Sequence, residues 1–206
     1  MLKQFEEIKI VYDKIFSGLN GYAVSFLEKQ RRSKDKYVKD LIYGEIPLEL
    51  LYALNVLEPF REYMARGGVF YDLGSGIGNV VIGNYLIGNF RKYIGIELLD
   101  SLYNISQRAV ENLCNFYGEA RSAVNFLHGN LLHFDISDGD LLLFCCPNED
   151  EKIRFKMEEI FLTLKAGAII LSLIHVFKNT DDFFLLDSRI VRTTWGEAPL
   201  RIYERK

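Results

Sequence analysis

A glycine-rich turn preceded by an acid is the segment of this sequence with the clearest capacity for chemistry. The apolar run Val69–Tyr71 leads into Asp72-Leu73-Gly74-Ser75-Gly76-Ile77-Gly78-Asn79. Glycines allow a backbone to approach a ligand closely and to adopt positive φ. The pattern predicts a strand, a turn and a helix start, and in a parallel sheet such a turn lies at the edge where ligands bind.

A second acid follows at the spacing expected for a ribose contact. The apolar segment Tyr93–Ile96 ends in Glu97, nineteen residues after Gly78. A carboxylate at this point can accept hydrogen bonds from both hydroxyls of an adenosine ribose, as in dinucleotide sites. The two segments together predict an adenosine-containing ligand.

Three features favour S-adenosylmethionine over a dinucleotide. An anion at Asp72 would repel a pyrophosphate, whereas it suits a cofactor that carries an amine and a sulfonium. The chain has no room for the second domain of an oxidoreductase, and it closes on a predicted antiparallel hairpin rather than a sixth parallel strand. A nicotinamide cofactor and a turn that serves only packing remain the alternatives.

Two more predicted strand ends carry candidate ligand contacts. After the third strand, Asn130 can hydrogen-bond an adenine amino group and Leu131 can pack on the ring, while His128 is interpreted as a partly buried histidine. The fourth strand ends at Phe144-Cys145-Cys146, where many methyltransferases hold the methyl acceptor. The thiols are interpreted as weak polar contacts or as small apolar wall residues.

Alternating strands and helices from Val69 onward must position these residues. The predicted strands are Val69–Leu73, Lys92–Glu97, Val124–His128, Asp140–Cys146, Ala168–Leu173, Ile190–Thr194 and Leu200–Tyr203. Such alternation predicts a doubly wound α/β sheet that is mostly parallel. The last two strands have only the short connection Trp195–Pro199 between them, so they are predicted to form an antiparallel hairpin.

The N-terminal part reads as helices added to that sheet. Apolar residues at helical spacing predict an extension over residues 1–42, followed by a cofactor-binding domain over 43–206. The end of the extension is basic, which indicates a solvated helix end or a contact patch for an acidic partner such as a nucleic acid. Its basic residues are Lys29, Arg31, Arg32, Lys34, Lys36 and Lys39.

Composition bounds the class of protein. The chain has 206 residues, 49% apolar and 26% charged, with a net charge of −3, which is typical of one globular domain and not of a wholly basic nucleic-acid binder. Its three cysteines show no CxxC or CxxH spacing, so no disulfide or metal site is predicted. Reduced thiols, the acids in the N-terminal segment and the lack of a long apolar run predict a cytoplasmic or nuclear protein that does not enter a membrane.

Several of these segments occur together in one known family. The sequence resembles the disruptor-of-telomeric-silencing (Dot-type, non-SET) histone-lysine methyltransferases, which have the class I S-adenosylmethionine-dependent (Rossmann-like) fold. The resemblance covers roughly residues 40–205. Its most specific segments are Tyr43-Gly44-Glu45, Phe70–Val81, Tyr93–Glu97, Leu164–Gly167 and the terminal Trp195, Pro199 and Tyr203.

The resemblance assigns roles to individual residues. It implies that Tyr43 and Glu45 line the methionine end of the cofactor, that Asp72 and Gly74 meet its amino-acid portion and that Glu97 binds the ribose. Trp195 would lie near the lysine channel. The full predicted cofactor set is Tyr43, Glu45, Asp72, Gly74, Ser75, Gly76, Gly78, Asn79, Glu97, Asn130 and Leu131, and the acceptor-channel candidates are Tyr43, Phe144, Cys146 and Trp195.

The departures from the family pattern fall mostly on the acceptor side. The family usually has Asn-Asn where this chain has Cys145-Cys146, a Thr or Ser at Ile46, and an acid at Asn130. Ile202 replaces one tyrosine of the lysine channel, and Asn79 replaces a glutamine. We therefore expect a methyltransferase that acts on protein lysine, with S-adenosylhomocysteine as the product. An RNA or small-molecule methyltransferase and an inactive cofactor-binding module are the alternatives, since function depends on the site rather than the fold.

Overall fold

The computed structural model describes residues 2–35, 38, 41–145, 151–178 and 181–206. The helices are α1 (Leu2–Ile15), α2 (Gly21–Arg31), α3 (Leu48–Val56), α4 (Phe60–Met64), α5 (Asn79–Ile87), α6 (Asp100–Cys114), α7 (Ala120–Ala123) and α8 (Glu151–Phe161). The strands are β1 (Val69–Leu73), β2 (Lys92–Glu97), β3 (Val124–His128), β4 (Leu141–Cys145), β5 (Ile169–Leu173), β6 (Phe183–Thr193) and β7 (Gly196–Arg205). No described helix combines the length and the apolar character that crossing a bilayer requires.

The seven strands form one sheet in the order β3-β2-β1-β4-β5-β7-β6. The first five strands in this order run parallel, and β7 pairs antiparallel with both β5 and β6. The predicted α/β class, mostly parallel with a C-terminal antiparallel hairpin, is confirmed. The strand order reverses between β1 and β4, which opens a crevice at the carboxyl ends of these two strands.

The hairpin is longer than the sequence predicts. Its strands begin at Phe183 and end at Arg205, and only Thr194 and Trp195 connect them, so the predicted connection Trp195–Pro199 is wrong. Pro199 lies inside β7 opposite Ile190. The last pair of β7 with β5 is Leu200 with Leu173, so no ladder bond on that side requires the N–H that Pro199 lacks.

Two apolar layers cover the two faces of the sheet. In β4, Leu141 and Leu143 point to the layer that includes α3 and α5, whereas Leu142 and Phe144 point to the layer that includes α8. The alternation follows from the two-residue period of a strand. Cys145 therefore packs on the same layer as Leu143.

The N-terminal helices pack on the sheet domain. The side chain of Ile15 in α1 is fully buried in the layer that contains α3 and α5, and its carbonyl accepts a hydrogen bond from Asn112 of α6. Glu28 of α2 is buried and accepts from the backbone N–H groups of Asp100 and Ser101 at the start of α6. Helices α1 and α2 thereby share core and hydrogen bonds with the sheet domain.

Candidate functional site

The glycine-rich turn folds over the end of β2. The N–H groups of Gly74 and Ser75 both donate to the Ile96 carbonyl at 2.9 and 3.0 Å, and the Gly78 N–H donates to the Ser75 carbonyl at 2.8 Å. Gly76 has φ 55°, and a Cβ there would lie 2.9 Å from the ring of Tyr43. A side chain at Gly76 would therefore displace the tyrosine of the upstream segment.

A cavity of about 340 Å³ lies between this turn and the carboxyl ends of the parallel strands. Its size is that of a small-molecule site, and apolar side chains make up most of its wall. It brings together most of the residues predicted from the sequence: Tyr43, Asp72, Gly74, Ser75, Gly76, Asn79, Glu97, Asn130, Leu131 and Trp195. Segments that are far apart in the sequence thus meet around one volume.

Asp72 presents a buried carboxyl group to the cavity. Only 3% of the residue is exposed. Burial, together with the charge of the nearby Glu97, raises its pKa to about 8, and no hydrogen bond from a described residue lowers it. A positively charged group placed beside Asp72 would favour its ionised form.

Glu97 is buried as well, but its carboxylate has partners. Oε2 accepts from the Gly76 N–H at 2.8 Å and Oε1 accepts from the Leu99 N–H at 2.7 Å. Burial raises the pKa of Glu97, and these backbone N–H groups oppose the rise. Each carboxylate oxygen can accept more than one hydrogen bond, so capacity remains for hydroxyl donors.

Ser75 supplies an orphaned polar atom. Its Oγ is buried and has no hydrogen-bond partner among the described residues, and the residue lines the cavity. The hydroxyl faces β2, where a Cβ at Gly95 would lie 2.6 Å from it, so Ser75 lines the cavity through its other atoms. A buried hydroxyl without a partner is costly to the fold.

The segment Tyr43–Ile46 closes the site from the other side. The Tyr43 hydroxyl donates to Glu45 Oε1 at 2.7 Å, and Asn79 Nδ2 donates to the Ile46 carbonyl at 3.1 Å. Burial, together with the charge of Glu45, raises the pKa of Tyr43. Tyr43 is therefore a neutral hydrogen-bond donor. Glu45 does not line the cavity and acts on it through Tyr43.

Asn130 and Leu131 lie at the start of a 3₁₀ turn, Leu131–His133. Both line the cavity. The Oδ1 of Asn130 accepts from the Leu132 N–H at 3.0 Å, so the oxygen predicted to meet an adenine amino group already stabilises the turn. The cavity wall continues with Leu99 and Leu102 at the start of α6.

Three residues that the sequence analysis placed at the cofactor or the acceptor channel lie elsewhere, and a fourth is outside the described residues. Phe144 is fully buried on the opposite face of the sheet, edge-on to Phe161 and His175, because strand side chains alternate. Ile202 is also fully buried, in the core, and does not line this cavity. Gly78 lies behind the turn, where a Cβ would overlap the ring of Phe126. Cys146 lies outside the described residues.

Two residues of the basic cluster make hydrogen bonds or ion pairs within the protein. Lys29 Nζ donates to the Leu41 carbonyl at 2.8 Å and lines the cavity. Arg32 bonds Glu28 at 3.1 Å and Asp35 at 2.8 Å. Arg31 and Lys34 are exposed, whereas Lys36 and Lys39 lie outside the described residues.

For some cavity residues, nothing in the sequence indicated a place at this cavity. Lys29 belongs to a helix more than forty residues before the glycine-rich turn, and only the packing of α2 brings it there. Ile174 lines the wall with φ 72°, a rare conformation for a β-branched residue. Leu99 and Leu102 did have a signal, since apolar residues three apart directly after Glu97 mark one face of the next helix.

Comparison with known sequences gives a family match over most of the chain. A sequence profile described as "Histone methylation protein DOT1" matches residues 22–190. A histone-lysine N-methyltransferase of Gibberella zeae, H3 lysine-79 specific, is 25% identical over 174 residues, which are 81% of this chain and 34% of that protein. Its counterpart in Candida glabrata is 28% identical over 119 residues, 53% of this chain and 18% of that protein. The chain spans about a third or less of these relatives.

Solved structures show the same fold at low identity. An RNA methyltransferase from Salinibacter ruber, in complex with S-adenosyl-L-homocysteine, has a TM-score of 0.58 at 21% identity, over 78% of this chain and 93% of that one. The B. subtilis M1A22 tRNA methyltransferase TrmK has a TM-score of 0.60 at 16% identity, over 81% and 68%. The fold is that of the class I methyltransferases.

Proposed function

The chain belongs to the DOT1 histone methylation family, and from that premise we propose that it binds S-adenosylmethionine and methylates the side-chain amine of a lysine in a protein. The observation that carries the proposal is the Asp72 carboxyl group, buried at the switch point of the sheet with no described hydrogen-bond donor. A buried, unpaired acid is costly to the fold. A ligand ammonium would compensate that cost.

The cavity residues fit the parts of this cofactor. Asp72 would hold the amino group, Glu97 would accept from the ribose hydroxyls, and the leucines at the start of α6 would pack on the adenine. Tyr43, whose hydroxyl is fixed by Glu45, would lie near the methionine end. When bound, S-adenosylmethionine supplies an electrophilic methyl group on its sulfonium. The protein contributes the position and the desolvation of the acceptor.

The apolar part of the wall supports a lysine acceptor. Ile42, Ile174 and Trp195 line the cavity and are each partly exposed, so they extend from its interior to the surface. A lysine must be neutral to attack the methyl group, and an apolar passage lowers the pKa of an amine by desolvation. Histone H3, the substrate in the names of the curated relatives, is the first acceptor to test.

Methyl incorporation from radiolabelled S-adenosylmethionine tests the proposal. The protein is incubated with separate protein, RNA and metabolite fractions, and with recombinant histone H3. We expect label in protein that is removed by protease and that elutes as methyl-lysine after acid hydrolysis. Asp72→Asn is expected to abolish the incorporation, whereas Asp13→Asn, at an exposed position on α1, serves as the matched control.

Each other outcome contradicts one part of the proposal. Label confined to RNA or to metabolites would replace the lysine acceptor with that class. Tight binding of S-adenosylhomocysteine without transfer to any fraction would indicate an inactive binding module. A calorimetric titration with S-adenosylhomocysteine that shows no binding would refute the cofactor assignment itself.

A further inference from the structure

The hydroxyl of Thr194 joins the tip of the β6–β7 hairpin to the segment Tyr43–Glu45. Thr194 Oγ1 accepts from the Glu45 N–H at 3.1 Å and donates to the Glu45 carbonyl at 2.9 Å. The Tyr22 hydroxyl lies 2.9 Å from the same oxygen. One threonine hydroxyl has one donor and two acceptor positions, and this arrangement uses all three.

The neighbouring residue, Trp195, forms part of the cavity wall. It is the only tryptophan of the chain, 40% of it is exposed, and it lines the cavity. Its ring packs directly on Gly44, where a methyl group would overlap the indole. The same short segment therefore meets the hairpin tip twice, through the backbone of Glu45 and through the α-carbon of Gly44.

On its other side, the same segment meets the cofactor half of the cavity. The Tyr43 hydroxyl is bound to the Glu45 carboxylate, and the Tyr43 ring packs on Gly76 of the glycine-rich turn. A continuous series of contacts thus runs from the turn, through Tyr43 and Glu45, to Thr194. Trp195 is the next residue along the chain.

We propose that Thr194 is a positioning residue that couples cofactor occupancy to the position of Trp195 at the acceptor end of the cavity. A ligand against the glycine-rich turn restrains Tyr43 and therefore Glu45. The Thr194 hydroxyl transmits that restraint to the hairpin tip, because it bonds both polar groups of the Glu45 backbone. This inference rests on the proposed cofactor and adds a residue to which neither the family pattern nor the cavity wall assigns a role.

The hairpin also contains a bond that offers a matched control. Thr193 Oγ1 donates to the Gly196 carbonyl at 2.7 Å, so the hydroxyl of Thr193 stabilises the turn from within. It makes no bond to the segment Tyr43–Glu45 among the described contacts. Thr193→Val and Thr194→Val therefore remove the same chemical group from adjacent residues, and only the second removes the side-chain bonds to Glu45. The Thr194 N–H still donates to the Glu45 carbonyl at 3.3 Å in both variants.

The fluorescence of the single tryptophan reports the coupling directly. The full chain and the variants Thr194→Val, Thr194→Ser and Thr193→Val are titrated with S-adenosylhomocysteine while Trp195 emission and acrylamide quenching are recorded. In the wild type we expect the ligand to shift the emission and to lower quenching. Thr194→Val should weaken both responses and bind the ligand roughly 3- to 10-fold more weakly, the effect of one or two lost hydrogen bonds.

The two other variants decide between coupling and simple stabilisation of the turn. Thr194→Ser keeps the hydroxyl and should restore both responses, and Thr193→Val should retain them even if its melting temperature falls. If Thr194→Val keeps the wild-type response, or if Thr193→Val loses it equally, the inference is wrong. If calorimetry shows that the wild type does not bind S-adenosylhomocysteine, the proposed cofactor fails instead, so the two failures are distinguishable.

Discussion

At the scale of single residues, the site is built from groups that cost stability when the cavity is empty. Asp72 and Glu97 are both buried and close enough for the charge of Glu97 to raise the pKa of Asp72. Such groups persist at functional sites, where a ligand compensates them. Replacing such a group should therefore weaken ligand binding and stabilise the ligand-free fold. Where the group also accepts hydrogen bonds from the backbone, its replacement should lower both the affinity for the ligand and the stability of the fold.

Asp72→Asn is expected to stabilise the ligand-free protein at alkaline pH. The folded chain retains the Asp72 proton up to about pH 8, whereas an unfolded chain releases it near pH 4, so wild-type stability falls as pH rises between these values. An asparagine removes that dependence. The difference between a folded pKa of about 8 and an unfolded pKa of about 4 sets an upper bound of about 5 kcal/mol on the gain at pH 8. Burial of the asparagine amide offsets part of it, so we expect a gain on the order of 2 kcal/mol, roughly 4–8 °C in melting temperature. Thermal melts from pH 4 to pH 9 measure it.

The gain should shrink as the pH falls towards 4, because below that pH Asp72 is protonated in the unfolded chain as well as in the folded one. The same variant should bind S-adenosylhomocysteine roughly 10- to 100-fold more weakly, because a charge-assisted hydrogen bond is lost. A variant with unchanged affinity would show that Asp72 does not meet the ligand. The exposed Asp13→Asn should change neither quantity.

Glu97→Gln should weaken both binding and stability. The Gly76 and Leu99 N–H groups need two acceptor oxygens, and a glutamine amide offers only one. One buried N–H is then left without a partner, at a cost of about 1–3 kcal/mol. Urea denaturation measures this loss, and calorimetry should show weaker binding of S-adenosylhomocysteine.

Glu111→Gln is the control for Glu97→Gln. Glu111 lies on α6 with 67% of its side chain exposed, so its change should stay within about 0.5 kcal/mol. Equal stability of the Glu97 and Glu111 variants would contradict the role of Glu97 in holding the turn.

At the scale of elements, α2 caps α6. The residue before α6, Leu99, has no side chain that can accept from the first turn, and Glu28 of α2 supplies the acceptor instead. Its carboxylate also bonds the Ser101 hydroxyl and Arg32. Burial opposes ionisation of Glu28, but these hydrogen bonds outweigh it and lower its pKa. One side chain thereby joins the N-terminal helices to the sheet domain.

Glu28→Gln is expected to destabilise the protein by about 1–2 kcal/mol at neutral pH, the cost of a lost cap and helix-dipole interaction. Because the folded pKa is lowered, the contribution is present above the unfolded pKa and is lost as pH falls through the folded pKa. The difference between wild type and variant should therefore shrink in acid. Thermal melts between pH 3 and pH 7 measure it, with the exposed Glu7→Gln as control. A difference independent of pH would contradict the charge-based explanation.

At the scale of the whole molecule, we propose that residues 1–42 and 43–206 fold as one unit, although the sequence divides there. Helix α1 lies outside the segment matched by the family profile, yet Ile15 is fully buried beside α5 and α6. The bond from Asn112 to the Ile15 carbonyl ties the end of α1 to α6.

Ile15→Ala should lower the stability of the entire chain in a single transition. Removal of a fully buried isoleucine costs about 2–5 kcal/mol, whereas Ile10, on the same helix but 55% exposed, should tolerate alanine within about 0.5 kcal/mol. Calorimetry and circular dichroism should give coincident transitions. Two separate transitions, with the later one unchanged by Ile15→Ala, would show that the extension folds independently.

The sequence by itself determined the sheet class, the glycine-rich turn and the two acids. These features are local: strand and helix periods, turn glycines and strand-end carboxylates depend on residues close together in the chain. That Asp72, Gly74, Ser75, Gly76 and Glu97 lie together at one edge of the sheet could be predicted without tertiary information, because the carboxyl ends of adjacent parallel strands share one edge.

Only the tertiary structure decided which side chains face the cavity from distant elements. The face that Phe144 occupies depends on the register of β4, and a shift of one residue reverses it. The Thr194 hydroxyl meets the backbone of Glu45 across 149 positions, and a backbone partner leaves no pattern of residue types in the sequence. Such contacts are fixed by the packing of α2 and the hairpin on the sheet, so residue types alone do not encode them.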